Sequence, residues 1–198
     1  MIALPVAVLA SGEGTNLQAL IEGPVDRGVI ELVGVASDKP DAPALARADA
    51  AGIDTRAFPR EEFADRAERD TALAGWLEER GAELVVSAGY MQLLDPTFID
   101  RFRNRVINVH PSLLPRFPGM DAIGQALDAG VDQTGVTVHF VDEGVDTGEV
   151  IASSVVPVPE GVTREQLEAA VHAAEHLLLP EVVEQIARGE VPIGVDSR

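Results

Sequence analysis

The sequence predicts an α/β fold: a mostly parallel, Rossmann-like sheet with helices on both faces and an antiparallel C-terminal extension. Short β-branched runs alternate with longer helical patterns up to about residue 110, which is typical of βαβ units. These runs are almost continuously apolar, which fits a sheet covered on both faces. After about residue 130 the pattern changes to alternation with period two, which indicates antiparallel strands.

The boundaries of the elements follow from these periodicities and from glycine and proline stops. Strands are predicted at 6–10, 31–37, 54–58, 84–87, 105–109, 135–141 and 149–158. Helices are predicted directly after the loop at 11–16 and at 42–51, 61–80 and about 164–188. No repeat, low-complexity tract or flexible linker interrupts the pattern, so a single domain over 1–198 is expected.

The composition limits the classes of function. The 198 residues include 15 basic and 33 acidic side chains, which gives a net charge of −18. Nucleic acids and anionic membranes are bound by clusters of Lys and Arg, so neither is an expected partner. Lys39 is the only lysine, and an anion site must therefore use arginine or backbone N–H groups. The absence of cysteine excludes disulfides, thiolate zinc sites and a cysteine nucleophile.

The N-terminal stretch bears on location. No segment reaches the roughly 20 apolar residues that are needed to span a membrane. The apolar residues 1–10 have no basic region before them and lead directly into a glycine loop, so they predict a first strand and not a signal peptide. A cytoplasmic location is therefore expected.

A glycine loop, SGEGTN at 11–16, connects the first predicted strand to the first helix. Its glycines allow a ligand to approach the backbone closely, and the helix N-terminus presents unpaired N–H groups to a phosphate. The pattern is neither GxGxxG nor that of a P-loop, so it specifies neither a dinucleotide nor a nucleoside triphosphate. A plain tight turn and an anion site are both open for this loop.

The stretch NVHPSLLP at 108–115 holds the strongest catalytic candidates. Strand side chains repeat every two residues, so Asn108 and His110 share a face. They stand at the carboxyl end of a strand, where open α/β sheets bind ligands. A histidine can move a proton near neutral pH, and an amide can donate to a developing oxyanion. The pair, followed by a proline-braced loop, predicts a catalytic site.

The segment DEGVDTG at 142–148 combines acidic residues with glycines. A calcium loop would need a longer run of oxygen ligands than this segment provides. Two interpretations remain, namely a solvated turn, or a carboxylate that is directed at a histidine, fixes its orientation and favours its charged form.

The other histidines are weaker candidates. His139 is expected simply to occupy one face of an alternating strand. His172 and His176 share a helix face at i, i+4, a spacing that is compatible with a metal. Because the HExxH pattern is absent, a surface or satisfied, partly buried role is favoured for both.

In combination these motifs resemble the folate-dependent formyltransferases. The resemblance rests on NVHPSLLP at 108–115, FPG at 117–119, VTVHF at 136–140 and VDTG at 145–148, and it extends from the glycine loop to the last helix. It implies direct transfer of a formyl group from 10-formyltetrahydrofolate to the amine of glycinamide ribonucleotide. It also implies no metal, no covalent enzyme intermediate, and a monomer or homodimer.

The resemblance further implies roles for individual residues. The catalytic set would be Asn108, His110 and Asp146. The acceptor substrate would be bound by Gly14, Thr15, Asn16 and Glu175, and the folate by Arg66, Met91, Gln92, Leu93, Leu94 and Asn108. The half at about 1–100 would then bind the ribonucleotide, and the half at about 101–198 would bind folate and carry catalysis. Asp121 stands where some members have a histidine, so no contact of that histidine is transferred.

The implied mechanism begins with attack of the amine on the formyl carbon, which creates a tetrahedral oxyanion. Asn108 and a protonated His110 would stabilise the oxyanion, and Asp146 would favour the charged imidazole. His110 or a water would then carry the proton from the attacking nitrogen to N10 of the folate.

Other acceptors and another class of protein remain open. Methionyl-tRNA formyltransferases carry a further C-terminal domain, and a charge of −18 suits tRNA poorly. Formyltetrahydrofolate deformylase, in which water is the acceptor, and sugar-nucleotide formyltransferases share the catalytic set. A non-catalytic nucleotide-binding module would use only the glycine loop, and would leave the joint presence of Asn108, His110 and Asp146 unexplained.

Overall fold

The computed structural model describes residues 3–194. Within them one sheet contains seven strands: β1 (Leu4–Leu9), β2 (Ile30–Ser37), β3 (Thr55–Ala57), β4 (Leu84–Ser87), β5 (Val106–His110), β6 (Gln133–Phe140) and β7 (Val150–Pro157). The strand order is β3-β2-β1-β4-β5-β6-β7. Strands β1 to β5 pair in parallel, whereas β6 and β7 pair antiparallel. The predicted fold class is therefore confirmed.

Helices surround this sheet. In the described part of the chain they are α1 (Thr15–Leu20), α2 (Pro43–Ala50), α3 (Arg66–Glu79), α4 (Pro96–Arg101), α5 (Ala122–Asp128) and α6 (Arg164–Ala187). A π-helical turn, Ile21–Val25, continues α1, and a 3-10 turn, Arg60–Glu62, precedes α3. From residue 3 to residue 194, none of the helices has both the length and the apolar character that a membrane crossing requires.

The side chains of β1 show how the two faces of the sheet are covered. Val6 and Val8 are fully buried in the core that contains the apolar faces of α1, α2 and α6. Ala7 and Leu9 are fully buried in a second core, which contains those of α3 and α4. Because both faces of β1 are buried, its sequence is a continuous apolar run with no polar alternation.

One predicted helix begins later than expected. The sequence predicts a continuous helix over 61–80, but the chain forms the 3-10 turn, becomes extended at Phe63, and enters α3 only after Asp65. The carboxylate of Asp65 caps α3 by accepting a hydrogen bond from the N–H of Glu68 at 2.8 Å. The Phe63 ring stacks on Phe58 with centroids 6.3 Å apart, so Phe63 belongs to the loop and not to the helix.

Helices α4 and α5 were not predicted from the sequence. They contain six and seven residues, too few for a clear helical period of apolar side chains. Each begins with an aspartate cap, at Asp95 and at Asp121. Asp121 also lies 2.6 Å from the guanidinium of Arg164 in an exposed ion pair, so this residue joins the starts of α5 and α6.

The parallel pairing brings the carboxyl ends of β1, β4 and β5 to one edge of the sheet. The loops that follow β1 and β4 are joined there by two hydrogen bonds. The N–H of Ser11 donates to the carbonyl of Gly89 at 3.0 Å, and the N–H of Met91 donates to the hydroxyl of Ser11 at 2.8 Å. The glycine loop therefore lies directly beside the loop at 88–95.

Candidate active site

Strands β5 and β6 place the side chains of Asn108, His110 and His139 close together. Their antiparallel register aligns Asn108 with His139 and His110 with Thr137. The amide Nδ2 of Asn108 lies 3.2 Å from Nε2 of His139. His139 is 2% exposed and was missed by the sequence analysis, in which it was an ordinary strand residue. A buried polar residue in an alternating apolar strand was the available signal, but its partner depends on the register between strands.

Asp146 lies beside both histidines. Its Oδ2 is 3.4 Å from Nδ1 of His110, and its Oδ1 is 3.5 Å from Nε2 of His139. The N–H of Gly119 donates to Oδ2 at 2.7 Å and fixes the carboxylate. The backbone of Asp146 has φ of 53°, a left-handed conformation that is uncommon outside glycine but more frequent for Asp. The structure thus brings the three predicted catalytic residues into one cluster.

The surroundings of Asp146 keep it ionised. Its burial opposes the charged form, but the contact with His139, the hydrogen bond from Gly119 and the charge of His110 outweigh that effect and lower the pKa of Asp146 below its ordinary value. A negative charge is therefore held next to two imidazole rings.

His110 is 4% exposed and faces an oxygen at each ring nitrogen. Nδ1 faces Asp146, and Nε2 lies 2.8 Å from the carbonyl oxygen of Phe117. An ionised carboxylate and a carbonyl only accept hydrogen bonds, so both are satisfied when each nitrogen carries a hydrogen. Phe117 has φ of 54°, a strained conformation for a bulky residue, and it presents its carbonyl to the ring.

A cavity of about 210 Å³ adjoins this cluster. Its lining includes Asn108, His139 and Asp146, together with Arg66, Gln92, Leu93 and Leu94, four of the residues that the resemblance implies for folate. The side chain of Met91, a fifth, is 61% exposed, and its backbone N–H is bonded to Ser11. Ser87, Tyr90 and residues 141–145 complete much of the wall.

Tyr90 is a residue of this wall that the sequence analysis did not select. It is 9% exposed, and its hydroxyl is buried with no hydrogen-bond partner among residues 3–194. Burial raises the pKa of Tyr90, so the phenol stays neutral and keeps its O–H donor. An unsatisfied buried hydroxyl at a cavity wall is a candidate contact for a ligand.

Gln92 is held rigidly in this wall. Its Nε2 donates to Oδ2 of Asp38 at 2.9 Å, and its Oε1 accepts from the guanidinium of Arg69 at 3.2 Å. Arg69, which is 2% exposed, also donates to the carbonyl of Leu93 at 3.3 Å. The Arg66 side chain is instead 47% exposed and lies 3.5 Å from Asp95. Arg66 is therefore a guanidinium that an anionic ligand can reach.

The glycine loop has the features of an anion site. Gly14 caps α1 with φ of 70°, and within residues 3–194 the start of this helix has no side-chain cap hydrogen bond. A Cβ at Gly14 would lie 2.8 Å from Ala44, so only glycine fits this position. Asn16 Nδ2 donates to Oε2 of Glu175 at 3.0 Å, which ties the loop to α6. Gly14, Thr15, Asn16 and Glu175 are thus grouped at one place.

In residues 3–194 no group of three or more His, Cys, Asp and Glu side chains is arranged to hold a metal ion.

Comparison with known proteins shows the family. The family model described as Formyl transferase matches residues 4–183. The trifunctional purine biosynthetic protein adenosine-3 of Bos taurus is 43% identical over 98% of this chain, which corresponds to 19% of that relative. The chain thus spans about a fifth of that longer protein. The phosphoribosylglycinamide formyltransferase of Bacillus subtilis (strain 168) is 41% identical over 91% of this chain and 93% of its own length.

Solved structures give the same result. Glycinamide ribonucleotide transformylase 1 from Symbiobacterium toebii has a TM-score of 0.93 and 42% identity, and the match covers 97% of this chain and 92% of that one. Phosphoribosylglycinamide formyltransferase from Bacillus halodurans has a TM-score of 0.90 and 38% identity, with coverage of 94% and 97%. From the extent of these matches and from the geometry of its site, this chain belongs to the formyl transferase family.

Proposed function

We propose that this chain transfers the formyl group of 10-formyltetrahydrofolate to the amine of glycinamide ribonucleotide, giving formylglycinamide ribonucleotide and tetrahydrofolate in cytoplasmic purine synthesis. The observation that carries the proposal is the contact of Asp146 with His110 and His139, next to Asn108 and beside a cavity. The names of the relatives favour this acceptor over water and over a sugar-nucleotide amine.

Two subsites follow from the proposal. The cavity with Arg66 and Tyr90 in its wall binds the folate, and the loop at Gly14 binds the phosphate of the acceptor. A left-handed glycine at a helix start that no side chain caps within residues 3–194 suits a phosphate in a protein that has a single lysine. The hydrogen bonds of Ser11 to the loop at 88–95 support this arrangement, because they join the two loops, and in the proposal the formyl group and the amine meet between them.

Catalysis then rests on stabilising the tetrahedral intermediate. The amine nitrogen forms a bond to the formyl carbon, and the carbonyl electrons move to oxygen, which becomes an oxyanion. An N–H of Asn108 and the Nε2–H of His110 donate to this oxygen, because Nδ1 of His110 faces Asp146. For this, His110 exchanges its bond to the Phe117 carbonyl for one to the substrate.

Collapse of the intermediate completes the reaction. The proton of the attacking nitrogen is carried to N10 of the folate by His110 or a water, and the bond between the formyl carbon and N10 breaks. Holding the two reactants together supplies much of the rate, because it converts a bimolecular reaction into one that is effectively intramolecular.

The test is a folate absorbance assay on the purified protein, with 10-formyltetrahydrofolate in the presence and absence of glycinamide ribonucleotide. We expect release of tetrahydrofolate only when the ribonucleotide is present, with formylglycinamide ribonucleotide identified by mass spectrometry. Release without any acceptor would indicate a deformylase. No release from a bound donor would contradict the proposed acceptor, and sugar-nucleotide amines would then be tested.

A variant separates binding from chemistry. His110→Ala is expected to bind both substrates and to lose turnover by about 10²–10⁴-fold, the usual loss for an acid–base group. Equal losses of binding and turnover would indicate that His110 is a structural residue.

A further inference from the structure

The carboxylate of Glu175 lies where α6 meets the glycine loop. Glu175 is 4% exposed, and its Oε2 is shared by two partners. Asn16 Nδ2 donates to it at 3.0 Å, and Nδ1 of His172, one turn earlier in α6, lies at 3.0 Å as well. A buried carboxylate thus connects a surface histidine to the loop.

Two charges act on an anion at this corner: the guanidinium of Arg47, whose Nε donates to the carbonyl of Glu13 in the loop at 2.6 Å, attracts it, and the buried carboxylate of Glu175 repels it unless that charge is compensated. The protein carries a net charge of −18, and a buried carboxylate next to the loop repels a bound phosphate. His172 is the imidazole in direct contact with that carboxylate, and its side chain is 52% exposed, so it can take up a proton from solvent.

We propose that protonated His172 is a positioning residue for the phosphorylated acceptor, which neutralises Glu175 and thereby allows the Asn16 corner of the glycine loop to bind an anion. This inference rests on the proposed function for the identity of the acceptor. This role differs from the surface or satisfied, partly buried role that the sequence predicts for His172.

The groups around His172 support a positive charge. Its hydrogen bond to Glu175 raises the pKa of His172, partial burial opposes that effect, and Glu168 on the same helix adds to it. His176 stacks on it with centroids 6.4 Å apart, and burial lowers the pKa of His176. Two residues face this cluster from α1 and the turn that continues it: Asn16, which is neutral, and Glu22, whose negative charge opposes the lowering of the pKa of His176. Within this cluster, His172 is therefore the imidazole that holds the proton.

Asn16 shows why the position of Glu175 matters. The bond from Nδ2 to Glu175 fixes the amide, and its Oδ1 is buried without a partner among the described residues. Loss of the charge on His172 leaves Glu175 as an uncompensated anion bonded to the loop. The affinity for a phosphate should then fall, whereas the chemistry at Asn108, His110 and Asp146 should not change.

The test compares a neutral and a cationic replacement. His172→Gln removes the charge, and His172→Lys keeps it without titrating near neutral pH. We expect His172→Gln to raise KM for glycinamide ribonucleotide about 2- to 5-fold, the size expected of one charge interaction at a partly exposed site. We expect kcat to change less than about twofold, and His172→Lys to restore KM. The unphosphorylated glycinamide riboside, the control ligand, should not distinguish the two variants.

The pH profile adds a readout that a structural role would not give. Wild-type KM for the ribonucleotide should rise as the pH passes upward through the raised pKa of His172, relative to His172→Lys at each pH. Dividing the KM of wild type by the KM of His172→Lys at each pH cancels the effect of the titration of the phosphate itself. Equal KM values for the Gln and Lys variants, or equal changes with the riboside, would overturn the proposal.

A measurement without turnover separates this inference from the proposed function. An NMR titration of His172 with inorganic phosphate as the probe should show a pKa that phosphate raises, because binding and protonation are linked. The shift should be absent in Glu175→Gln. A wild-type protein that shows this coupling but formylates no ribonucleotide would contradict only the proposed acceptor, whereas phosphate binding without any change at His172 would contradict the inference.

Discussion

The Oδ2 atom of Asp146 lies 3.4 Å from Nδ1 of His110 and also accepts the N–H of Gly119 at 2.7 Å. The backbone N–H of Gly119 therefore holds the carboxylate of Asp146 in position independently of His110. A charge held in this way can orient His110 throughout the reaction, since it needs no rearrangement when the oxyanion forms.

Asp146→Asn should remove that charge while keeping the shape of the side chain. We expect kcat to fall about 10²–10⁴-fold, as for loss of an acid–base group, with substrate binding retained. Steady-state kinetics of formyl transfer measure this. Asp142→Asn in the same turn is the matched control, because its retained Oδ1 can still accept from Gly144 and Thr147, as that of Asp142 does at 3.0 and 2.7 Å. Similar losses in both variants would contradict a specific role for Asp146.

Asn108 and His139 should act as a unit. Nε2 of His139 lies 3.2 Å from Nδ2 of Asn108, and its Nδ1 lies 2.7 Å from the carbonyl of Phe140, so the backbone holds the ring beside the amide and the ring can orient it. A double-mutant cycle with Asn108→Ala and His139→Ala should show a coupling of about 0.5–3 kcal/mol in kcat/KM. Additive effects would show that His139 does not position the amide.

Tyr90→Phe tests whether the unpartnered hydroxyl serves a ligand. Removing a buried, unsatisfied hydroxyl should not lower the free energy of unfolding, measured in urea. If the hydroxyl pairs with the folate, KM for 10-formyltetrahydrofolate should rise about 2- to 10-fold, the value of one ordinary hydrogen bond. An unchanged KM would exclude Tyr90 from donor recognition.

The acid stability of the protein should depend on Asp146. Its pKa is lowered in the folded protein, so its contribution to stability is fully present above the unfolded value of about 3.9 and is lost as the pH falls through the folded value. Urea unfolding of wild type and Asp146→Asn should therefore give a difference that shrinks as the pH falls below about 4, through the lowered pKa of Asp146. A difference that stays constant over this range would show that Asp146 has no shifted pKa.

Gly14→Ala should damage the loop in two ways. The left-handed conformation costs an alanine about 1–2 kcal/mol, and the new Cβ would meet Ala44 at 2.8 Å. Both the free energy of unfolding and the affinity for the phosphorylated acceptor should fall. Gly12→Ala is the control, since its Cβ would meet nothing within 4 Å, and its stability should change by less than about 0.5 kcal/mol. Equal losses of stability and of affinity in the two variants would show that position 14 does not require glycine.

The sequence by itself determined the sheet, because its apolar runs and their change of period are local properties of the chain. It also determined the candidates Asn108 and His110, since a strand places alternate residues on one face, whatever the rest of the fold. The resemblance to the formyltransferases selected Asp146 from the segment at 142–148 and Gly14, Thr15 and Asn16 from the loop at 11–16. The short helices α4 and α5 and the late start of α3 escaped prediction, because caps and aromatic contacts, and not hydrophobic period, decide where they begin.

Only the tertiary structure decided which of these residues meet. His139 joins the site through the register of β5 with β6, and Tyr90 through the pairing of β4 with β5, which brings the loop after β4 to the cavity beside Asn108. His172 contacts the carboxylate of Glu175 within its own helix, α6. Only the tertiary structure brings Glu175 to Asn16, which lies near the other end of the chain. Contacts of this kind depend on distances in space, and neither residue spacing nor composition encodes them.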